Sequence, residues 1–83
     1  MNKMFNTDLI GNDKSLLLVD DDEPFLRRLS KAMERRGFDV KMSLTISEGK
    51  EIIENNPPAH AVVDLRLQDG NGLDIVELIQ EKR

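Results

Sequence analysis

Leu16-Leu17-Leu18-Val19-Asp20-Asp21-Asp22 is the stretch that decides the fold. A continuous apolar run bounded by polar residues reads as a strand buried on both faces, as in a parallel sheet. Ala61-Val62-Val63 is a second run of this kind, and it too ends in a carboxylate, Asp64. If the two strands lie parallel and adjacent, their carboxyl ends meet at one edge and the acidic groups converge. Two carboxylates about 4 Å apart repel by roughly 1 kcal/mol in water and about 4 kcal/mol near a protein surface. A domain of ~5–15 kcal/mol total stability does not carry several such pairs without compensation. An ion that takes oxygen ligands would offset the cost, and Mg²⁺ is the natural candidate.

The segments around these runs complete the pattern. The first strand is read over residues 15–19. Pro24 suits the first turn of a following helix, where its missing N–H is an orphan in any case. Phe25, Leu26, Leu29, Ala32 and Met33 share one helical face, and Arg27, Arg28, Lys31, Glu34 and Arg35 take the other. Gly37 suits the position just past the helix end. Residues 38–42 read as a weaker second strand, because Asp39 and Lys41 alternate with Val40 and Met42. Thr45-Ile46-Ser47-Glu48 matches a capping box that opens a helix running to Asn55, before Pro57-Pro58. A third strand is predicted over 60–64, a loop of turn formers over 68–72, and a third helix over 73–83 with Ile75, Val76 and Ile79 inward. Residues 1–14 show no sustained period and read as a flexible N-terminal arm; residues 15–83 form the domain.

The order βαβαβα, with crossovers long enough for helices, predicts an α/β fold with a parallel sheet and right-handed connections. In such sheets ligands bind beyond the carboxyl ends of the strands, where strand order reverses. With order 2-1-3 the reversal falls between the first and third strands, beside Asp20, Asp21 and Asp64. Eighty-three residues make one small domain, near the size at which a single core is marginal. The chain has no cysteine, hence no disulfide framework and no thiolate metal site, which suits the cytoplasm. No run approaches the ~20 apolar residues of a membrane span. A net charge of −4 makes this segment a poor candidate for direct contact with nucleic acid.

The same residues have plainer readings. Asp22 fits a helix N-cap, and Asp69-Gly70-Asn71-Gly72 fits turn chemistry, lacking the ligand spacing of an EF-hand loop. His60, with no second His or Cys nearby, reads as a strand-entry residue. The basic helix face reads as a solvated one. None of these readings accounts for three aspartates in a row at the end of a buried strand.

Leu-Leu-Val-Asp-Asp-Asp before a helix, with Val-Val-Asp-Leu-Arg-Leu and Gly-Asn-Gly-Leu downstream, resembles the receiver domain of bacterial two-component response regulators. The stretches SLLLVDDDEPFLRRLSKAMERRGF and PPAHAVVDLRLQDGNGLD are most similar to the redox-responsive global regulators of the Reg/Prr/Act group. The resemblance implies a flavodoxin-like (CheY-like) sheet of order 2-1-3. It implies Asp64 as phosphoacceptor and Mg²⁺ held by Asp20, Asp21, Asp64 and the backbone carbonyl of Arg66. It implies a sensor histidine kinase as partner and no enzymatic activity of the domain's own. In that group a helix-turn-helix domain, absent here, controls transcription. A complete receiver has two further strands, bearing a Thr or Ser and a Lys at the site, and two further helices; this chain is read as an incomplete receiver lacking them.

The rival reading is a haloacid-dehalogenase-like phosphatase, with Asp20 as nucleophile and Asp22 as acid, although Glu23-Pro24 departs from that pattern. A final expectation concerns the sheet. With the third strand at an edge, apolar on both faces and without the Lys or Pro that blunts edges, the chain is expected to form a homodimer or a domain-swapped oligomer.

Overall fold

The computed structural model describes residues 3–7 and 13–82. In chain order the elements are strands β1 (Lys3–Thr7) and β2 (Ser15–Val19), helix α1 (Glu23–Arg35), strand β3 (Asp39–Ser43), helix α2 (Ile46–Asn55), strands β4 (His60–Asp64), β5 (Arg66–Leu67) and β6 (Gly70–Asn71), and helix α3 (Leu73–Lys82). β2 pairs in parallel with β3 on one side and β4 on the other, the 2-1-3 order expected of the three predicted strands.

β2 is buried on both faces because helices cover both. Leu16 and Leu18 pack with Leu26, Leu29 and Met33 beneath α1, while Leu17 and Val19 join Ile53, Ile75, Val76 and Ile79 beneath α2 and α3. This alternation across a two-sided sheet is why the run is apolar throughout rather than at every second position.

The local signals for α1 are used as read. Asp22 accepts the Phe25 N–H at 3.1 Å, Pro24 sits in the first turn, and Gly37 follows the cap at φ +92°, a conformation that costs glycine little. The inward face is rotated from the one the spacing favours: Ser30 is buried and Ala32 is exposed. At about 100° per residue, Ser30 lies roughly 40° from the buried Leu26 and Ala32 roughly 120°. β3 begins at Asp39 rather than Phe38, because the Phe38 N–H closes the helix end on Met33 O at 3.1 Å. At α2 only half of the capping box forms. Thr45 Oγ1 accepts the Glu48 N–H at 3.1 Å, but the Thr45 N–H turns to Ser43 Oγ at 3.4 Å.

Two expectations fail at the N-terminus. Residues 3–7, read as part of a flexible arm, form β1 and pair antiparallel with β4 in the register Lys3↔Asp64 to Thr7↔His60. β4 is therefore not an edge strand, and the orphaned edge that motivated self-association is satisfied within one chain. A second copy pairing there must first displace β1. Pairing at a sheet edge is carried by main-chain N–H and C=O groups, which need no side-chain period, so nothing in the sequence announced it. The remaining residues of the predicted arm before Asp13 lie outside the described residues.

Candidate functional site

Parallel register sets the site. Val19 lies opposite Val63, so the next residues, Asp20 and Asp64, leave neighbouring strands at the same edge. Asp20, Asp21 and Asp64 bring carboxylate oxygens within 4.8 Å of one another. Their environments differ: Asp20 is buried at 3% exposure, Asp64 is half-buried and Asp21 is exposed. The convergence expected from two strand ends is present.

Asp20 is held on both oxygens. Oδ1 accepts the Asp22 N–H at 3.0 Å, and Oδ2 accepts from Lys3 Nζ in an ion pair. Burial works to raise the Asp20 carboxyl pKa, but the Lys3 ammonium and the Asp22 N–H outweigh it and hold it below the ordinary value. The bond to Asp20 raises Lys3 in turn, against its own partial burial and with help from the charges of Asp64 and Asp22. Lys3 Nζ also lies 4.9 Å from the centroid of the Phe25 ring. The sequence reading missed Lys3 as a site residue. Antiparallel pairing brings it there, since the first residue of β1 meets the last residue of β4.

Asp64 Oδ1 accepts the Arg66 N–H at 2.9 Å, which fixes the carboxylate across a two-residue turn. Arg66 sits in β5 with its side chain exposed. Gly72 packs directly behind Asp64, and a Cβ there would lie 2.3 Å from the Asp64 carbonyl oxygen. The Gly-Asn-Gly run therefore contains a steric requirement, and not merely turn chemistry.

Asp22 caps α1 with its side chain, and its N–H donates to Asp20 Oδ1. Asp69 caps a helix distant in sequence: Oδ1 accepts from the Ile46 N–H at 2.9 Å and Oδ2 from the Ser47 N–H at 3.1 Å. These bonds, that to Ile46 first, hold its carboxyl below the ordinary value of 3.8. A depressed native pKa stabilises the fold above the unfolded value and is lost as pH falls through the native one. Asp69→Asn is therefore expected to lower the melting temperature at pH 7, and its gap from the parent to close as pH drops below 3.8; a gap independent of pH would contradict this origin. His60 enters β4 as read, edge-on to Phe38 at 5.4 Å, with Nε2 3.0 Å from Asp13 O.

The donor set is all oxygen, the chemistry of a hard cation such as Mg²⁺. Asp20, Asp21 and Asp64, whose carboxylate oxygens lie within 4.8 Å of one another, are the residues that would hold such a cation. The three carboxylates thus fit a divalent cation.

Sheet order, reversal point and acidic edge together define a class. The response regulator receiver domain model matches residues 16–83, and the chain belongs to that family. It is similar to the photosynthetic apparatus regulatory protein RegA of Cereibacter sphaeroides (64% identity over 74 residues) and to RegA of Rhodovulum sulfidophilum (65% over 74 residues), each alignment covering 89% of this chain and 40% of the relative. The acid tolerance regulatory protein ActR of Rhizobium meliloti is 56% identical over 78 residues, 94% of this chain and 40% of the relative. The chain thus spans about two-fifths of the length of these relatives. No solved structure is a significant match. The haloacid-dehalogenase-like alternative has no support: the matching family is another one, and Asp22, its required acid, is the α1 cap. Among the described residues, no helix is long and apolar enough to cross a membrane.

Proposed function

We propose that Asp64 accepts a phosphoryl group from a sensor histidine kinase, with Asp20, Asp21 and the backbone carbonyl of Arg66 joining Asp64 in holding Mg²⁺. The observation that carries this reading is the convergence of Asp20, Asp21 and Asp64 at the reversal point of a receiver sheet. An Asp64 carboxylate oxygen attacks phosphorus in line, the P–N bond to the kinase histidine breaks, and the departing imidazole takes up a proton. The Arg66 N–H holds Asp64 Oδ1, which leaves Oδ2 to be presented to the incoming group. Asp20 and Asp21 need no covalent part; they concentrate negative charge where a cation must sit. When bound, Mg²⁺ offsets charge on the phosphoryl oxygens and orients the group. The wider reading, drawn from the family and the relatives, is a cytoplasmic phosphorelay protein that controls transcription through a DNA-binding domain elsewhere in a longer chain.

Acetyl phosphate tests the acceptor without a kinase. The 83-residue chain incubated with it and Mg²⁺ should gain one phosphoryl group, mapped by mass spectrometry to the peptide containing Asp64; label on another residue would sink the assignment. A melting titration tests the metal. With a dissociation constant on the order of 1 mM, about 10 mM Mg²⁺ adds roughly 1.4 kcal/mol by mass action. An unchanged melting temperature across the titration would count against the site.

A further inference from the structure

Gln68 and Asp69 form the tip of a short hairpin that rises from the acidic edge. Its strands are β5 and β6, with Arg66 opposite Asn71 and Leu67 opposite Gly70. A two-stranded hairpin this short is not stable by itself, so its anchors decide where Arg66 sits. At the base, the Arg66 N–H donates to Asp64 Oδ1 and the Gly72 N–H to Leu65 O. Midway, Leu67 is buried in the same core cluster as Ile46. At the tip, Asp69 accepts the Ile46 and Ser47 N–H groups and, at 3.3 Å, the Ser47 hydroxyl. These are charge-assisted bonds, about twice as strong as neutral ones. α2 already has a local cap in Thr45, which accepts the Glu48 N–H. Asp69 therefore does more than satisfy a helix end: it ties the segment that follows Asp64 to the segment that follows β3.

We propose that Asp69 is a positioning residue for the cation site: it pins the hairpin tip to the first turn of α2 and so holds the Arg66 main chain in place for the metal. The inference rests on the reading of Asp20, Asp21, Asp64 and the Arg66 carbonyl as a metal site. It adds that a carboxylate touching neither metal nor phosphoryl group sets how tightly the metal is held. A ligand left loose before binding must be ordered by the metal, and the cost of that ordering is subtracted from affinity.

Amide NMR of the 83-residue chain titrated with MgCl₂ separates positioning from stability, with melting temperature followed in parallel. Shifts at residues 20–22 and 64–66 give the affinity, and the dispersion of the spectrum shows that each variant is folded. Asp69→Ala should weaken Mg²⁺ binding about tenfold, the lower end of the loss when a group that orients a metal ligand is removed. Asp69→Asn keeps one acceptor oxygen and should weaken it about threefold, half of that effect on a logarithmic scale. Thr45→Ala removes a capping bond from the same helix without touching the Asp69 bonds. It should lower the melting temperature and keep the parent affinity. Parent affinity in folded Asp69→Ala overturns the positioning role and leaves the metal site standing. So does a loss in Thr45→Ala as large as in Asp69→Ala, which would trace the effect to α2 alone. If alanine unfolds the chain, Asp69→Asn decides by the same criteria. Absence of Mg²⁺ shifts in the parent overturns the metal reading and the inference with it.

Discussion

Asp64→Asn is expected to leave the chain folded and to abolish phosphoryl uptake from acetyl phosphate. The carboxamide is nearly isosteric with the carboxylate, and its oxygen can still accept the Arg66 N–H that Asp64 Oδ1 accepts at 2.9 Å. What is lost is the anionic nucleophile, for which an amide oxygen is no substitute. The substitution also removes one of three convergent negative charges. Loss of mutual repulsion and loss of attraction to Lys3 act in opposite directions, so the melting temperature should stay within ~4 °C of the parent, the scale of a substitution worth about 0.5 kcal/mol in a domain of this size. Labelling should fall to background in the same preparation, and the Mg²⁺ stabilisation should shrink. Asp22→Asn is the contrasting variant. Its side chain caps α1, so it should label like the parent. Phosphoryl uptake that survives in Asp64→Asn would move the acceptor to Asp20 or Asp21.

Gly72→Ala should cause the larger loss of stability. The added methyl carbon would meet the Asp64 carbonyl oxygen at 2.3 Å, Leu65 Cα at 2.9 Å and Val63 Cγ1 at 2.9 Å. The first two are main-chain atoms at the end of β4 and cannot rotate aside. The strand end or the start of α3 must move, and Val63 is fully buried in the core beneath α2 and α3. Overpacking of this kind costs about 2–3 kcal/mol, or roughly 10–20 °C in melting temperature for a domain of this length. Because the displaced strand end carries Asp64, the Mg²⁺ response and the rate of phosphoryl uptake should fall together with stability. A melting temperature within about 2 °C of the parent would show that the β4–α3 junction gives way more easily than its main-chain contacts imply.

Most of residues 15–82 was legible because the signals are local; the β5–β6 hairpin about the loop read over 68–72 and the rotated inward face of α1 were not. The Leu16–Val19 run, the alternation of Asp39 and Lys41 with Val40 and Met42, the Asp22 and Thr45 caps and Gly37 each act over a few residues. Side-chain period and terminal hydrogen bonds are visible at that range. The acidic edge was legible for the same reason at one remove: once two buried strands are parallel neighbours, aspartates at their ends must converge. Asp69 was legible only as a turn former, because its partners, the Ile46 and Ser47 N–H groups, lie more than twenty residues away.

By itself, then, the sequence determined the three parallel strands, their helices and the meeting of Asp20, Asp21 and Asp64. Tertiary structure decided what fills the outer edge of β4, which cation sits on Asp20, and why position 72 tolerates no side chain. Each of these depends on main-chain groups or on a close approach between segments far apart in the chain. Such groups are the same for nearly every residue type, so they leave no pattern to read until the fold brings them together.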